Sequence, residues 1–209
     1  MARTQPVRWG ARAPATEDEA RERILLAATR CYLRHGVPRT TVEDIAREAM
    51  IHRTTVYTYF KSRDEILAGV VLIEARGIVA ASDRIMSDAG RFEDRLVDAF
   101  LAARRAIAQS PILSLLFDRD NAAQTFGATD ASDLIQRRTL PTLTGYIAAA
   151  QESGELRDDV SALAMARWLL RVQQMLTTDP AEENDAVEAT LRTFVVASVA
   201  RCPAHDPVN

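Results

Sequence analysis

The chain has 209 residues, 47 % of them hydrophobic and 26 % charged, with eight glycines and eight prolines. That length can build one or two domains with a real core; few stretches alternate as strands do, so the expected fold is all-α. The net charge of −3 is uneven, with 12 basic and 7 acidic side chains in residues 1–63 (+5) against 14 and 22 in residues 64–209 (−8), which points to the first part alone as the partner of a polyanion.

Residues 1–15 carry Arg3, Arg8 and Arg12 with two prolines, and are expected to form a flexible basic arm. Thr16 and Glu19 make a Thr-x-x-Glu capping box that opens the first helix. Its apolar stripe would be Ile24, Ala27, Ala28, Cys31, Tyr32 and His35. Gly36 followed by Pro38 stops it, because glycine takes a left-handed turn and proline cannot continue a helix. Thr40 and Glu43 make a second box and start a short helix whose inner face is Val42, Ile45, Ala46 and Ala49. Residues 50–52 turn the chain, and a third helix over 53–59 buries Val56 and Phe60. Ser62 and Glu65 form a third box, opening a helix over 63–86 with Ile66, Val70, Ile73, Gly77 and Ala81 on one side.

The spacing then predicts a helix over 92–108 facing inward through Phe92, Leu96, Phe100, Ala103 and Ile107. Ser110–Pro111 is an N-cap followed by an N1 proline, so a short helix carrying Leu113, Leu116 and Phe117 begins there. A loop is expected over 118–129, then a helix over 130–152 kinked near Pro141 and ended by Gly154. Two more helices are expected over 160–177 and 182–201, with a frayed tail. The domain reading is an arm (1–15), a helix-turn-helix domain (16–62), a helical body (63–203) and a tail (204–209).

Helices of seven to nine residues are marginal alone. The second and third hold only by packing on the first and fourth, and Ala46 and Ala49 allow a close, steep crossing. That is helix-turn-helix geometry, in which the second of the two helices enters the DNA major groove. Arg53, Thr54, Thr55, Tyr57, Thr58 and Tyr59 remain for its outer faces, and none is acidic. Arg53 can pair bidentately with guanine O6 and N7, and threonine methyls can touch the thymine methyl. Tyr57 and Tyr59 can reach phosphates; Lys61 and Arg63 flank one helix N-terminus, and Thr40 and Thr41 another. His52 either contacts DNA or caps the third helix.

The segment "TTVEDIAREAMIHRTTVYTYFKSRDEIL" (residues 40–67) resembles the DNA-binding domain of the TetR family of bacterial transcriptional regulators. Thr40–Thr41, Ile45–Ala46, Tyr57, Tyr59–Phe60 and Arg63 stand at matching places. Two positions depart from that pattern: Met50 replaces the turn glycine and His52 a small N-cap residue. A left-handed methionine costs roughly 1–2 kcal/mol, and burying its side chain is expected to offset about that much, leaving an intact motif with a slightly shifted turn. The resemblance implies a homodimer built through the last two helices (about 160–177 and 182–201), and a ligand cavity among the middle ones. The composition agrees with the dimer, since the helix over 160–177 is apolar outside a stripe of Arg167, Arg171, Gln174 and Thr178. Candidate ligand-lining residues are Phe100, Arg104, Phe117, Phe126, Tyr146, Met165, Trp168 and Gln173, walls that suit an apolar or aromatic small molecule.

No apolar run approaches the roughly 18 residues of a membrane span, and no apolar h-region follows the basic N-terminus, so no signal peptide is expected. Cys31 and Cys202, far apart, read as reduced thiols of a cytoplasmic protein. No phosphate-binding, dinucleotide or nucleophile-elbow motif occurs, and His35, His52 and His205 lack metal-ligand spacing. No enzyme activity, cofactor or metal is expected. The reading is a DNA-binding regulator, a ligand-released homodimeric repressor on a pseudo-palindromic operator. The alternatives are a helical dimer that binds DNA without effector, or a small-molecule-binding protein without DNA recognition.

Overall fold

The structure, a computed structural model, describes Trp9 and residues 13–117, 129–177 and 183–201, except for the side chains of residues 117, 129–136 and 177. Arg3, Arg8, Arg12, Phe126, Thr178, Cys202 and the tail lie outside the described residues. The described chain is helical: α1 (Glu17–His35), α2 (Val42–Glu48), α3 (Arg53–Tyr59), α4 (Arg63–Ser87), α5 (Phe92–Gln109), α6 (Pro111–Phe117), α7 (Thr129–Glu152), α8 (Ala162–Thr177) and α9 (Asn184–Thr190). A π-helical segment, Leu191–Val196, then leads into α10 (Ala197–Val199). Among the described residues β pairing is limited to an isolated antiparallel bridge, Leu156 to Ala200, and no helix is long and apolar enough to cross a membrane.

The chain divides into two compact units, Met1–Glu74 with Pro111–Leu134, and Ala75–Ser110 with Ile135–Asn209. The first turns of α4 and the whole of α6 therefore belong with the N-terminal helices rather than with the body the sequence suggested.

In the first unit, α1 lays Ala20, Ile24, Ala27, Ala28, Cys31 and Tyr32 against α2, α3 and α6. The facing residues include Ile45, Ala46, Val56, Phe60, Leu113 and Leu116, all buried. His35, expected on this stripe, is exposed at the last turn of α1. Gly36 ends α1 at φ 76°, its N–H donating to the Tyr32 carbonyl at 2.8 Å. Gly69 of α4 marks the closest approach to α1: a Cβ there would sit 2.7 Å from Leu25 Cδ2. Cys31 is buried, and burial, reinforced by Glu48, pushes its thiol up, so it stays an unreactive thiol.

The second unit packs Phe92, Leu96, Val97 and Phe100 of α5 against Ile147 of α7, Met165 and Leu169 of α8, and Leu191, Val195 and Val199 beyond α9. Its α4 segment buries less than expected: Gly77 is exposed and Ala81 half-buried. The α7 helix runs through Pro141. The outer side of α8 leaves Leu163, Trp168 and Met175 exposed, and Phe194 stands out at 69 % exposure.

Candidate nucleic-acid interface

The α2–turn–α3 segment is assembled by local hydrogen bonds that the sequence partly announced. The α2 box shifts by one residue from the expected pair. Thr41, not Thr40, is the N-cap; its hydroxyl accepts from Asp44 N at 3.2 Å, and Asp44 Oδ2 accepts from Thr41 N at 3.0 Å. An aspartate at N3 closes the box as well as a glutamate would, which is why Thr40–Glu43 was the wrong register. The hydrogen bonds from Thr41 hold the Asp44 carboxyl below the usual carboxylate range. Thr40 is 1 % exposed and its hydroxyl donates to the Gly36 carbonyl at 2.8 Å, so it cannot meet a phosphate.

The turn is a Schellman motif. Ile51 N donates to Ala46 O at 2.9 Å, Met50 N donates to Arg47 O at 3.1 Å, and Met50 lies at φ 55° in the left-handed region. The left-handed residue between these bonds is Met50 itself, so the turn is not displaced. The expected offset by burial is only partial, because Met50 is 63 % exposed. His52 then caps α3, its ring nitrogen accepting from Thr54 N at 3.4 Å and lying 2.8 Å from Thr54 Oγ1.

Helix α3 is held from behind. Val56 and Phe60 are buried, and the Arg21 guanidinium stacks 4.3 Å over the Phe60 ring, reaches Glu65 Oε1 at 3.2 Å and donates to the Tyr59 carbonyl. Of the expected groove residues, the structure turns outward His52, Arg53, Thr54, Tyr57 and Thr58, with Lys61 beyond the helix and Thr41 at the start of α2. Arg53, Thr54, Tyr57 and Thr58 follow i, i+1, i+4, i+5, a single face of α3, and Lys61 lies past the extended C-cap Phe60. Three others are placed differently. Thr55 is 7 % exposed, since position 55 lies beside Val56 on the inner side. Tyr59 is half-buried and takes the Trp9 ring edge-on at 5.9 Å between centroids. Arg63 donates to the Val37 carbonyl, tying the start of α4 to the α1–α2 turn rather than offering its charge outward.

Three features had no sequence signal strong enough to find them. Trp9, buried against Tyr59, lay within an arm expected to be flexible. Arg63 and Val37 lie far apart in sequence. Glu43 ion-pairs with Arg53 from the neighbouring helix, so an acid stands beside a face expected to have none. At the C-terminal end of α1, Arg34, His35, Arg39 and Asp44 border an open cleft of ≈ 260 Å³.

These short helices, the Schellman turn and the outward cationic and hydroxyl face form a helix-turn-helix. Residues 24–70 match the family model described as bacterial regulatory proteins, tetR family. The chain is similar to TetR-family regulators over this N-terminal segment. It is 27 % identical over 169 residues to the HTH-type transcriptional repressor BepR of Brucella suis, covering 76 % of this chain and 79 % of BepR. Its fold is similar to that of SmeT, the repressor of the Stenotrophomonas maltophilia multidrug efflux pump SmeDEF. There the TM-score is 0.61 at 24 % identity, covering 87 % of this chain and 90 % of SmeT. It is also similar to FadR of Bacillus subtilis, a transcriptional regulator solved with stearoyl-CoA. That match has TM-score 0.63 at 16 % identity, covering 84 % of this chain and 97 % of FadR. The chain is thus a TetR-like transcriptional regulator with an N-terminal helix-turn-helix and a helical C-terminal part, and the relatives it matches are named as regulators.

The expected effector residues are less coherent. Phe100 and Met165 lie in the core of the second unit. Arg104 donates to the Leu176 carbonyl. The Tyr146 hydroxyl lies 2.7 Å from Asp83 Oδ1 and 2.5 Å from Ser87 Oγ, and Gln173 is half-buried. Trp168 is 38 % exposed on the outer side of α8, where it lines no interior wall. Phe117 lies in α6, with its side chain outside the described set, and Phe126 is outside the described residues. Among the described residues no group of three or more His, Cys, Asp or Glu could hold a metal ion.

Proposed function

We propose that the chain is a homodimeric repressor that reads a pseudo-palindromic operator through α3 and is released by a small molecule. The observation that carries the reading is the outward face of α3, where Arg53, Thr54, Tyr57 and Thr58 share one side and none is acidic, with Lys61 exposed just beyond the helix. In this reading Arg53 and the threonines meet base edges, while Tyr57, Lys61 and Thr41 position the helix on phosphates. His52 lies beside them as the cap of α3.

One helix-turn-helix reads a few base pairs, so specific binding calls for two copies about one DNA turn apart. The exposed apolar set of Leu163, Trp168, Met175 and Phe194 supports self-association through α8 and the segment after α9. The stearoyl-CoA held by FadR supports an apolar effector, and burial of Phe100 and Met165 fits an apolar interior. Helix α4 begins in the first unit and ends in the second. An effector that favours one α4 position would alter operator affinity only by its differential affinity for the two states, typically ~1–3 kcal/mol.

The test is selection of bound sequences from random duplexes at a stated salt concentration. An inverted repeat with half-sites about one turn apart is expected. Arg53→Ala should then relax one base preference at a cost of about 1–3 kcal/mol, whereas Lys61→Ala should weaken all sequences alike and lower the salt slope by about 0.9. No enriched sequence in repeated low-salt trials would sink the reading.

A further inference from the structure

Arg53 is the side chain of this surface best suited to read a base, and in the protein without DNA it is already engaged. Its Nη1 pairs with Glu43 of α2. Its Nη2 donates to the Tyr57 hydroxyl at 3.3 Å, and its guanidinium carbon lies 5.4 Å from the Tyr57 ring centroid. The other α2 carboxylates are committed elsewhere. Asp44 closes the box with Thr41 and meets Arg47 at 3.2 Å. Glu48 takes Arg30 at 2.6 Å and Arg34 at 3.1 Å. Glu43 is thus the carboxylate that α2 points at the first turn of α3.

Neither stability nor affinity accounts for an acid there. The Glu43 and Arg53 side chains are 48 % and 53 % exposed, and ion pairs so exposed add little to stability. A negative charge beside a DNA-facing surface weakens binding to every sequence. What such a charge can increase is the difference between sequences.

We infer that Glu43 is a positioning residue that sets the specificity of Arg53. It holds the guanidinium along α3, clear of the phosphates. A guanidinium has five N–H donors, and the contacts to Glu43 and Tyr57 use one each, so three remain for a base edge. Where a guanine stands opposite, O6 and N7 accept from this pre-oriented fork while Glu43 keeps its partner. Elsewhere, Arg53 can reach a phosphate only by leaving Glu43 unpaired beside a polyanion. Glu43 thereby penalises wrong sequences more than the right one. The inference rests on the reading that α3 enters the major groove.

The test uses the full-length chain as wild type, E43Q, E43A, R53A and E43Q/R53A, with circular dichroism showing that each retains its helices. The operator comes from wild-type selection on random duplexes. Dissociation constants are then measured for the operator, for the operator with each guanine replaced, and for an unrelated duplex over a salt series. E43Q and E43A are expected to bind the unrelated duplex about 3–10-fold tighter, with a salt slope steeper by about 0.9, and to bind the operator within about 3-fold of wild type. The penalty for replacing the guanine that R53A identifies should shrink at least about threefold. In the R53A background, adding E43Q should move no base preference. A wild type that selects an operator while E43Q and E43A keep its guanine penalties and its specific-to-nonspecific ratio overturns the inference alone. A wild type that selects no sequence overturns the groove reading and this inference with it.

Discussion

Met50 offers a test in which the sign of the effect identifies the cause. It occupies the left-handed position of a Schellman turn at φ 55°, with 63 % of its surface exposed. Holding a non-glycine residue there costs roughly 1–2 kcal/mol. The covered third of the side chain returns about 0.5–1 kcal/mol, a third of what full burial of a methionine gives. Glycine would relieve the strain but add about 0.4–1 kcal/mol of unfolded-chain entropy. These magnitudes nearly cancel, so Met50→Gly should lie within about 1 kcal/mol of wild type. Met50→Ala loses the packing and keeps the strain, so it should be less stable than wild type by about 0.5–1 kcal/mol. Glycine should therefore exceed alanine by about 1 kcal/mol, the reverse of an ordinary helical site, where alanine wins by roughly 0.5–1 kcal/mol. The assay is guanidinium chloride unfolding at one protein concentration, because self-association makes stability depend on concentration. Equal midpoints for Gly and Ala, or alanine the more stable, would refute the claim that residue 50 stores backbone strain.

Thr41→Ala removes the hydroxyl's bonds from Asp44 N and to Asp44 Oδ2 and should cost about 1 kcal/mol, with Thr41→Ser largely restoring it, measured by the same unfolding curves. The Tyr32 hydroxyl is buried without a hydrogen-bond partner among the described residues, and burial raises its pKa. Tyr32→Phe should therefore be neutral or up to about 1 kcal/mol more stable, and a clear loss would mean the hydroxyl has a partner. Glu48 is held below the usual carboxylate range by its hydrogen bonds to Arg30 and Arg34. A depressed folded pKa stabilises above the ordinary value near ~4.3 and is lost as pH falls through the folded value. The gap in melting temperature between wild type and Glu48→Gln should thus be steady at neutral pH and close below about pH 4. Phe194→Asp should leave the helical spectrum intact while shifting sedimentation toward monomer; an unchanged oligomer would remove Phe194 from the proposed dimer surface.

What could be read from the sequence was local. Capping boxes, the Gly36–Pro38 stop and the apolar spacing of α1, α3 and α5 act within a turn or two of chain, and the helices begin and end within a few residues of where these signals put them. The Thr40–Thr41 ambiguity shows the limit even there, since both Thr40–Glu43 and Thr41–Asp44 satisfy the pattern and packing of Thr40 under Gly36 decides between them. The site was legible as a helix and a face, but not as a set of partners. Arg63 turning to Val37, Trp9 covering Tyr59 and Glu43 meeting Arg53 all join distant residues through the tertiary fold. No period or motif encodes them. The middle helices gave least, because an aromatic at helical spacing reads the same whether it fills a core, as Phe100 does, or faces outward, as Trp168 does.

The paired state of this surface has a consequence for how it meets DNA. Thr41 N–H is taken by Asp44, Lys61 N–H by Glu65, the His52 ring by Thr54, and Arg53 by Glu43 and Tyr57. A surface whose polar groups are already satisfied gains on binding only the difference between new partners and old ones. For a neutral hydrogen bond that difference is about 0.5–1.5 kcal/mol, small beside the counterion release from phosphates. If α3 enters the groove as proposed, general attraction would rest on exposed charges such as Lys61, and selectivity on whether a sequence offers Arg53 something better than the Glu43–Tyr57 cradle. A regulator built this way would bind arbitrary DNA weakly at physiological salt and find its operator by exchange rather than by attraction. That separates the residues that should move the salt slope, Lys61 foremost, from those that should move base preference, Arg53 and Glu43.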